Sequence, residues 1–148
     1  MFKDVYNNVT IVQVHANAAA TADANSTAID TWDYPGGVVT FIAVLGATGD
    51  TLDANNYIEL KVEDSPDNST FTDVVDAELS NSVTSTTAET GCYALVNAGT
   101  EDSLTYATQY IGDKRYVRTN IDVVGTHTNG TAIGIVAVVS GKQYASGA

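Results

Sequence analysis

An antiparallel β-sandwich, jelly-roll-like, of about eight short strands with little or no helix, is the fold this sequence predicts. Three observations point there. Apolar and polar residues alternate with period two along most of the ordered-looking segments. Clusters of Gly, Pro, Asn, Asp and Ser separate those runs. No stretch sustains a helical period, and residues 73–79 support one turn at most. The 148 residues suffice for a single globular domain with a real core. Residues 1–26 read as an N-terminal strand and a flexible arm, and residues 27–148 as the sandwich.

Residues 10–14 and 27–32 are the weaker strand candidates. Between them, residues 15–26 are low in complexity and hold no large apolar side chain, so this segment is expected to be irregular. Tyr34-Pro35-Gly36-Gly37 is a turn. It feeds residues 38–45, where Val39, Phe41, Ala43 and Leu45 share one face and Val38, Thr40, Ile42 and Val44 the other. Both faces are mostly apolar, so the strand is either central and covered twice, or one face meets another subunit.

Residues 57–63 alternate most clearly. Ile58, Leu60 and Val62 point to a core, while Tyr57, Glu59, Lys61 and Glu63 point to water. The turn formers at 64–69 and a resumed strand at 71–75 make this a hairpin. Residues 80–103 look irregular, with only 92–96 as a strand; residues 104–111 form a further strand with Tyr106 and Tyr110 on one face. The stretch 111–141 reads as two long strands joined as a hairpin through the polar loop 125–130, which ends in the turn signal Asn129-Gly130. Its second strand, residues 132–139, is apolar on both faces.

The charge excludes several functions. Six Lys plus Arg face 18 Asp plus Glu, a net charge of −12. Such a surface repels nucleic acid and anionic membranes, and no run approaches the ~20 apolar residues of a membrane-spanning helix. The start of the chain has no apolar signal core, which suggests a protein made in a cytoplasm. The four Asn-x-Ser/Thr sites, at Asn8, Asn25, Asn68 and Asn129, then read as accidents of composition. The single cysteine, Cys92, precludes an intrachain disulfide and reads as a small buried hydrophobe.

No catalytic constellation emerges. His15 ends a candidate strand and His127 sits in a turn, and neither lies in a nucleophile motif. Two His and one Cys have no zinc-like spacing. Asp64, Asp67 and Asn68 crowd one loop and Asp50, Asp53 and Asn55 another, but neither follows a calcium cassette, and such residues are ordinary in turns. There is no Gly-x-Gly-x-x-Gly after a strand and no P-loop. No metal, cofactor or catalytic residue is therefore assigned.

What remains is a compact basic group, Lys114, Arg115 and Arg118, with Tyr116 beside it: three of the chain's six cations. Arg beside Tyr is a composition favoured at interfaces. The group either contacts an acidic partner or pairs with the chain's own carboxylates.

Five segments together resemble a known family. They are an apolar strand ending in Gly (38–46), the hairpin region 49–74 with Glu63-Asp64-Ser65-Pro66-Asp67, a variable segment, the run 110–118 (Ile111-Gly112-Asp113-Lys114-Arg115-Tyr116-Val117-Arg118 above all), and a loop with Asn129-Gly130-Thr131 before a last apolar strand. The pattern resembles tailed-phage head structural proteins of the capsid decoration (cement) type, over about residues 27–141. The resemblance implies a virion protein on the outer capsid surface. It would bind the major capsid protein, bridge neighbouring subunits, and form a homo-oligomer, often a trimer. A role in the tail or at the head–tail junction is the first alternative. A carbohydrate-binding module is the second; it would need exposed aromatic platforms, for which Trp32, Tyr34, Tyr93 and Tyr144 are the candidates.

Overall fold

Strand-forming alternation and turn chemistry build two antiparallel sheets facing each other, in a computed structural model that describes residues 8–83 and 88–140. The strands are β1 (Val9–Ala20), β2 (Ala24–Asn25), β3 (Ile29–Asp30), β4 (Val39–Thr48), β5 (Tyr57–Ser65), β6 (Thr72–Asp73), β7 (Cys92–Val96), β8 (Thr105–Tyr110), β9 (Tyr116–Val124) and β10 (Thr131–Ser140). Two single 3-10 turns, Thr31–Asp33 and Asp76–Glu78, interrupt them; the second lies where the sequence permitted one turn.

One sheet has four strands in the order β1-β10-β4-β8. The other has β9 and β5 at its centre. The short β2 and β3 both pair with β9, and β6 and β7 both pair with β5. Counting each short couple as one interrupted row gives two four-row sheets in the double Greek-key order of a jelly roll. The expected all-β sandwich is the fold observed.

The inner faces supply the core. Val39, Phe41, Ala43 and Leu45 of β4 lie beside Ile133, Ile135, Ala137 and Val139 of β10. Across the sandwich, Ile58, Leu60 and Val62 of β5 lie beside Val117 and Ile121 of β9. Thr119 is the one inward polar residue of β9, and every polar atom on it is used. Its hydroxyl donates to the Lys61 carbonyl at 2.9 Å and meets the Tyr93 hydroxyl at 3.1 Å, while its N–H donates to Ser26 Oγ at 3.0 Å. A satisfied buried hydroxyl of this kind fixes the register of several strands at once.

Three expectations change. The polar loop 125–130 does not close a hairpin: β9 and β10 belong to different sheets, and the loop arches between them. Both edges of β9 are taken by β5 and by β2 with β3, and both edges of β10 by β1 and β4. The Asp50 carboxylate fixes the arch by accepting N–H groups from Thr128, Asn129 and Gly130. Gly130 has φ +73°, and a Cβ there would lie 2.7 Å from the Ala20 carbonyl oxygen.

Residues 15–20, expected in a flexible arm, are the second half of β1. Small Ala and Asn side chains suit this edge strand, which follows β10 through register shifts after Gln13 and His15. Finally, the supposed wet face of β5 is dry at Glu59 and Lys61, which are 1% and 7% exposed. The segment entering β7 folds over them, and the Glu89 N–H reaches Glu59 Oε2 at 3.4 Å.

Candidate functional site

The two outer faces of the sandwich are chemically opposite. The outer face of the β9–β5 sheet is built of charges. Register places Arg118 directly across from Glu63, Asn120 across from Lys61, and Asp122 across from Glu59. The Arg118 Nε donates to Glu63 Oε2 at 2.7 Å, and its guanidinium lies 3.9 Å over the Phe71 ring. Where β9 begins, Arg115 forks onto Asp30, with Nε at 3.0 Å from Oδ1 and Nη2 at 2.7 Å from Oδ2. That guanidinium is held between the rings of Trp32 (4.1 Å) and Tyr116 (4.8 Å). The Arg115 contact holds the Asp30 carboxyl below its ordinary value, against the opposing effect of burial.

Lys114 donates to the buried Asp64 at 2.6 Å, and the Tyr110 hydroxyl donates to the other Asp64 oxygen at 2.8 Å. The hydrogen bond to Asp64 raises the Lys114 ammonium above its ordinary value. Every cation among the described residues thus meets a carboxylate of its own chain: Lys61, Lys114, Arg115 and Arg118. Of the four predicted residues, Arg115, Tyr116 and Arg118 come together with Trp32 and Phe71 in one row, while Lys114 turns to the buried Asp64. Their charge is internally matched, and the side chains of Lys114 and Arg115 stay 39% and 34% exposed. A cleft of about 410 Å³ between Trp32, Gly36, Gly112 and Lys114 flanks the row.

Among the described residues, the outer face of the four-stranded sheet holds no Asp, Glu, Lys or Arg, in a chain of net charge −12. Thr40, Ile42 and Val44 come from β4, and Gly134, Val136 and Val138 from β10. Thr105, Ala107 and Gln109 extend it on β8, and Ile11 and Gln13 on β1. Ile11 and Val44 are 67% and 54% exposed. A shallow groove of about 370 Å³ runs over Ile42, Val44, Gly134 and Val136 to His15 and Asn17. No element among the described residues covers this face. Of the two sequence readings of residues 38–45, the described residues provide no second cover for this strand.

The remaining candidates fall into structural roles. Asp67 accepts N–H groups from Thr70 and Ser69 and the Ser65 hydroxyl, which hold its carboxyl well below the usual range. Asp53 accepts the Asn55 N–H at 2.7 Å, an Asx-turn. With Asp50 clamping the arch, both acidic loops spend carboxylates on backbone. The His127 ring is buried with Nε2 3.1 Å from the Val124 carbonyl, while His15 borders the uncharged groove. Of the four aromatic platforms, Tyr34 and Tyr93 are buried, Tyr144 lies outside the described residues, and Trp32 is exposed but carries Arg115 over its ring. Cys92 is buried, and that burial pushes its thiol up to about 12.

Sequence reasoning missed two features. One is the burial of Glu59 and Lys61. The other is the extent of the uncharged face, whose outer positions on β4 and β10 were visible but whose β1 and β8 portions depend on strand order.

No protein-family model and no curated protein matches the chain. Among solved structures, it is similar to a chain described in "Bacillus endospore appendages form a novel family of disulfide-linked pili". The TM-score is 0.47 at 13% identity, covering 95% of each chain.

Proposed function

We propose that this chain is a structural assembly subunit, a capsid decoration (cement) protein. It forms a homo-oligomer, a trimer by the stated resemblance, binds the outer face of a shell of major capsid protein and bridges neighbouring subunits. The observation that carries the reading is the outer face of the β1-β10-β4-β8 sheet, which the described residues leave uncovered and uncharged. Copies of net charge −12 repel one another wherever carboxylates face each other. On this face they meet without opposing charges and remove Ile11, Ile42, Val44, Val136 and Val138 from water. Strands of twelve, ten, ten and six residues, at ~3.3 Å per residue and ~4.8 Å spacing, give roughly 600 Å² of flat face. That approaches the ~800 Å² per partner of a standard interface. A modest contact suffices where many copies act together on a closed lattice.

Burying that face between copies leaves the opposite sheet outward, with Trp32, Arg115, Tyr116, Arg118 and Phe71 in a row. These are the residue types that anchor interfaces, and the row is assigned to the capsid contact. Cosedimentation with assembled capsid shells tests the assignment. Bound protein is expected to saturate in proportion to shell subunits. Arg115→Ala with Arg118→Ala is expected to weaken binding about tenfold or more without dissociating the oligomer. Binding confined to one vertex would favour the tail or head–tail junction role, and unchanged occupancy in the variant would remove the row from the interface.

A further inference from the structure

Beneath the segment entering β7 lies an unbalanced charge cluster. Glu59 on β5 stands directly across from Asp122 on β9, a like-charge pairing that is unfavourable unless something neutralises it. Glu89 joins them from above, and one carboxylate oxygen from each of Glu59, Glu89 and Asp122 lies within 4.8 Å of the others. Asp73 is a fourth carboxylate nearby, 3.7 Å from the Lys61 ammonium. Lys61 is the one cation in the group, at 2.5 Å from Glu89 and 3.2 Å from Asp122.

That single positive charge leaves the cluster short of neutrality, and the deficit falls on Glu59. Its side chain is 1% exposed, and Oε1 is buried with no hydrogen-bond partner. A buried, unpartnered carboxylate oxygen is costly unless it is protonated or meets a cation.

We infer that Glu59, Glu89 and Asp122 form a site for one divalent cation of the calcium class, which fastens the segment entering β7 onto the β9–β5 sheet. Three oxygens within 4.8 Å of one another fit around one ion at calcium–oxygen distances of ~2.3–2.6 Å. The donor set is all carboxylate, which suits a hard cation and excludes soft ones. The Glu89 side chain is 58% exposed, giving the ion a route in and leaving coordination positions for water. Lys61 keeps Asp73 as its partner when the ion takes the other carboxylates.

Titration calorimetry of chelator-treated protein with calcium chloride, paired with thermal melts, tests this. Wild type is expected to bind one calcium ion and to melt several degrees higher with calcium than in chelator. Magnesium, which demands tighter octahedral geometry, is expected to bind more weakly. Glu59→Gln keeps the shape and removes the orphaned charge. It is expected to melt above wild type in chelator and to lose the calcium response. Glu89→Gln is expected to weaken binding about tenfold and, because it also removes the charged partner 2.5 Å from Lys61, to lower the melting temperature in chelator. Absence of binding at millimolar calcium, or equal binding by wild type and both variants, would overturn the inference. So would a wild-type melting temperature that responds only to acid, since Glu59 would then be neutralised by a proton.

Discussion

Replacing Lys61 with methionine is expected to destabilise the fold by about 3–5 kcal/mol, the loss typical of removing one partner from a buried charge network. Methionine retains most of the lysine stem, so packing is preserved and the loss isolates the charge. Lys61 is 7% exposed and lies within 4 Å of three carboxylates, those of Asp73, Glu89 and Asp122. Burial alone would lower its pKa, yet the hydrogen bonds to Glu89 and Asp122 and the charge of Asp73 carry it above the ordinary lysine value. It is therefore charged at neutral pH. Urea unfolding in chelator is the measurement, read as a fall in midpoint at constant slope.

The loss should also depend on pH in a stated direction. Burial raises the carboxyls of both Glu59 and Asp73 above their ordinary values. A carboxyl whose folded pKa exceeds its unfolded value binds its proton more tightly when folded. It therefore adds stability as pH falls through the folded value, until the unfolded value near ~4 is passed. Without Lys61 these carboxylates repel more strongly, so the gap between wild type and variant narrows on acidification through that window. Adding Glu59→Gln to Lys61→Met is expected to recover part of the loss. A loss under about 1 kcal/mol, the value of an exposed pair, would mean that Lys61 is solvated.

The second large effect is on assembly. Ile42 and Val136 are cross-strand partners near the middle of the uncharged face. Ile42→Asp sets a carboxylate there, and in any assembly that buries this face it must be desolvated opposite an uncharged or like-charged surface. Association is expected to weaken more than about 100-fold, seen as a shift to monomer in sedimentation velocity. The fold should lose no more than about 1 kcal/mol, the range of strand propensity on an open face. Val75→Asp introduces the same charge at an exposed site off this sheet and is expected to leave the oligomer intact.

Much of this architecture is legible in the sequence because period-two alternation reports directly on burial. The inward residues of β5, Ile58, Leu60 and Val62, are those that alternation assigns to a core, whereas β4 and β10, apolar on both faces, leave the choice of inner face open. What alternation does not report is which sheet a strand joins. The loop 125–130 carries strong turn residues, but whether such a loop closes a hairpin or crosses the sandwich depends on which strand edges are already occupied. Those edges are taken by segments far away in sequence, and by an Asp50 carboxylate 80 residues from the Gly130 N–H it accepts.

The same reasoning explains β1. An Ala- and Asn-rich segment is a poor strand in isolation, and its pairing with β10 is a tertiary effect. The basic group at 114–118 was legible as a group but not in its pairing, because Asp30, Glu63 and Asp64 reach it only through sheet register and the packing of β3. Glu59 and Lys61 read as solvent-facing because a charged residue on an alternating strand normally is. Only the chain folded over them makes them a buried network.

Thiol labelling tests most directly whether the uncharged face is an assembly interface. Val44 and Val75 are 54% and 55% exposed in the single chain, the first on this face and the second away from it. Cys92 is buried and adds no background. At concentrations where the protein is oligomeric, the Val44→Cys thiol is expected to react with a maleimide far more slowly than the Val75→Cys thiol. Ile42→Asp is expected to restore the rate at position 44. Equal rates at the two positions in the oligomer would contradict the account, because the face would then lie open to water in the assembly.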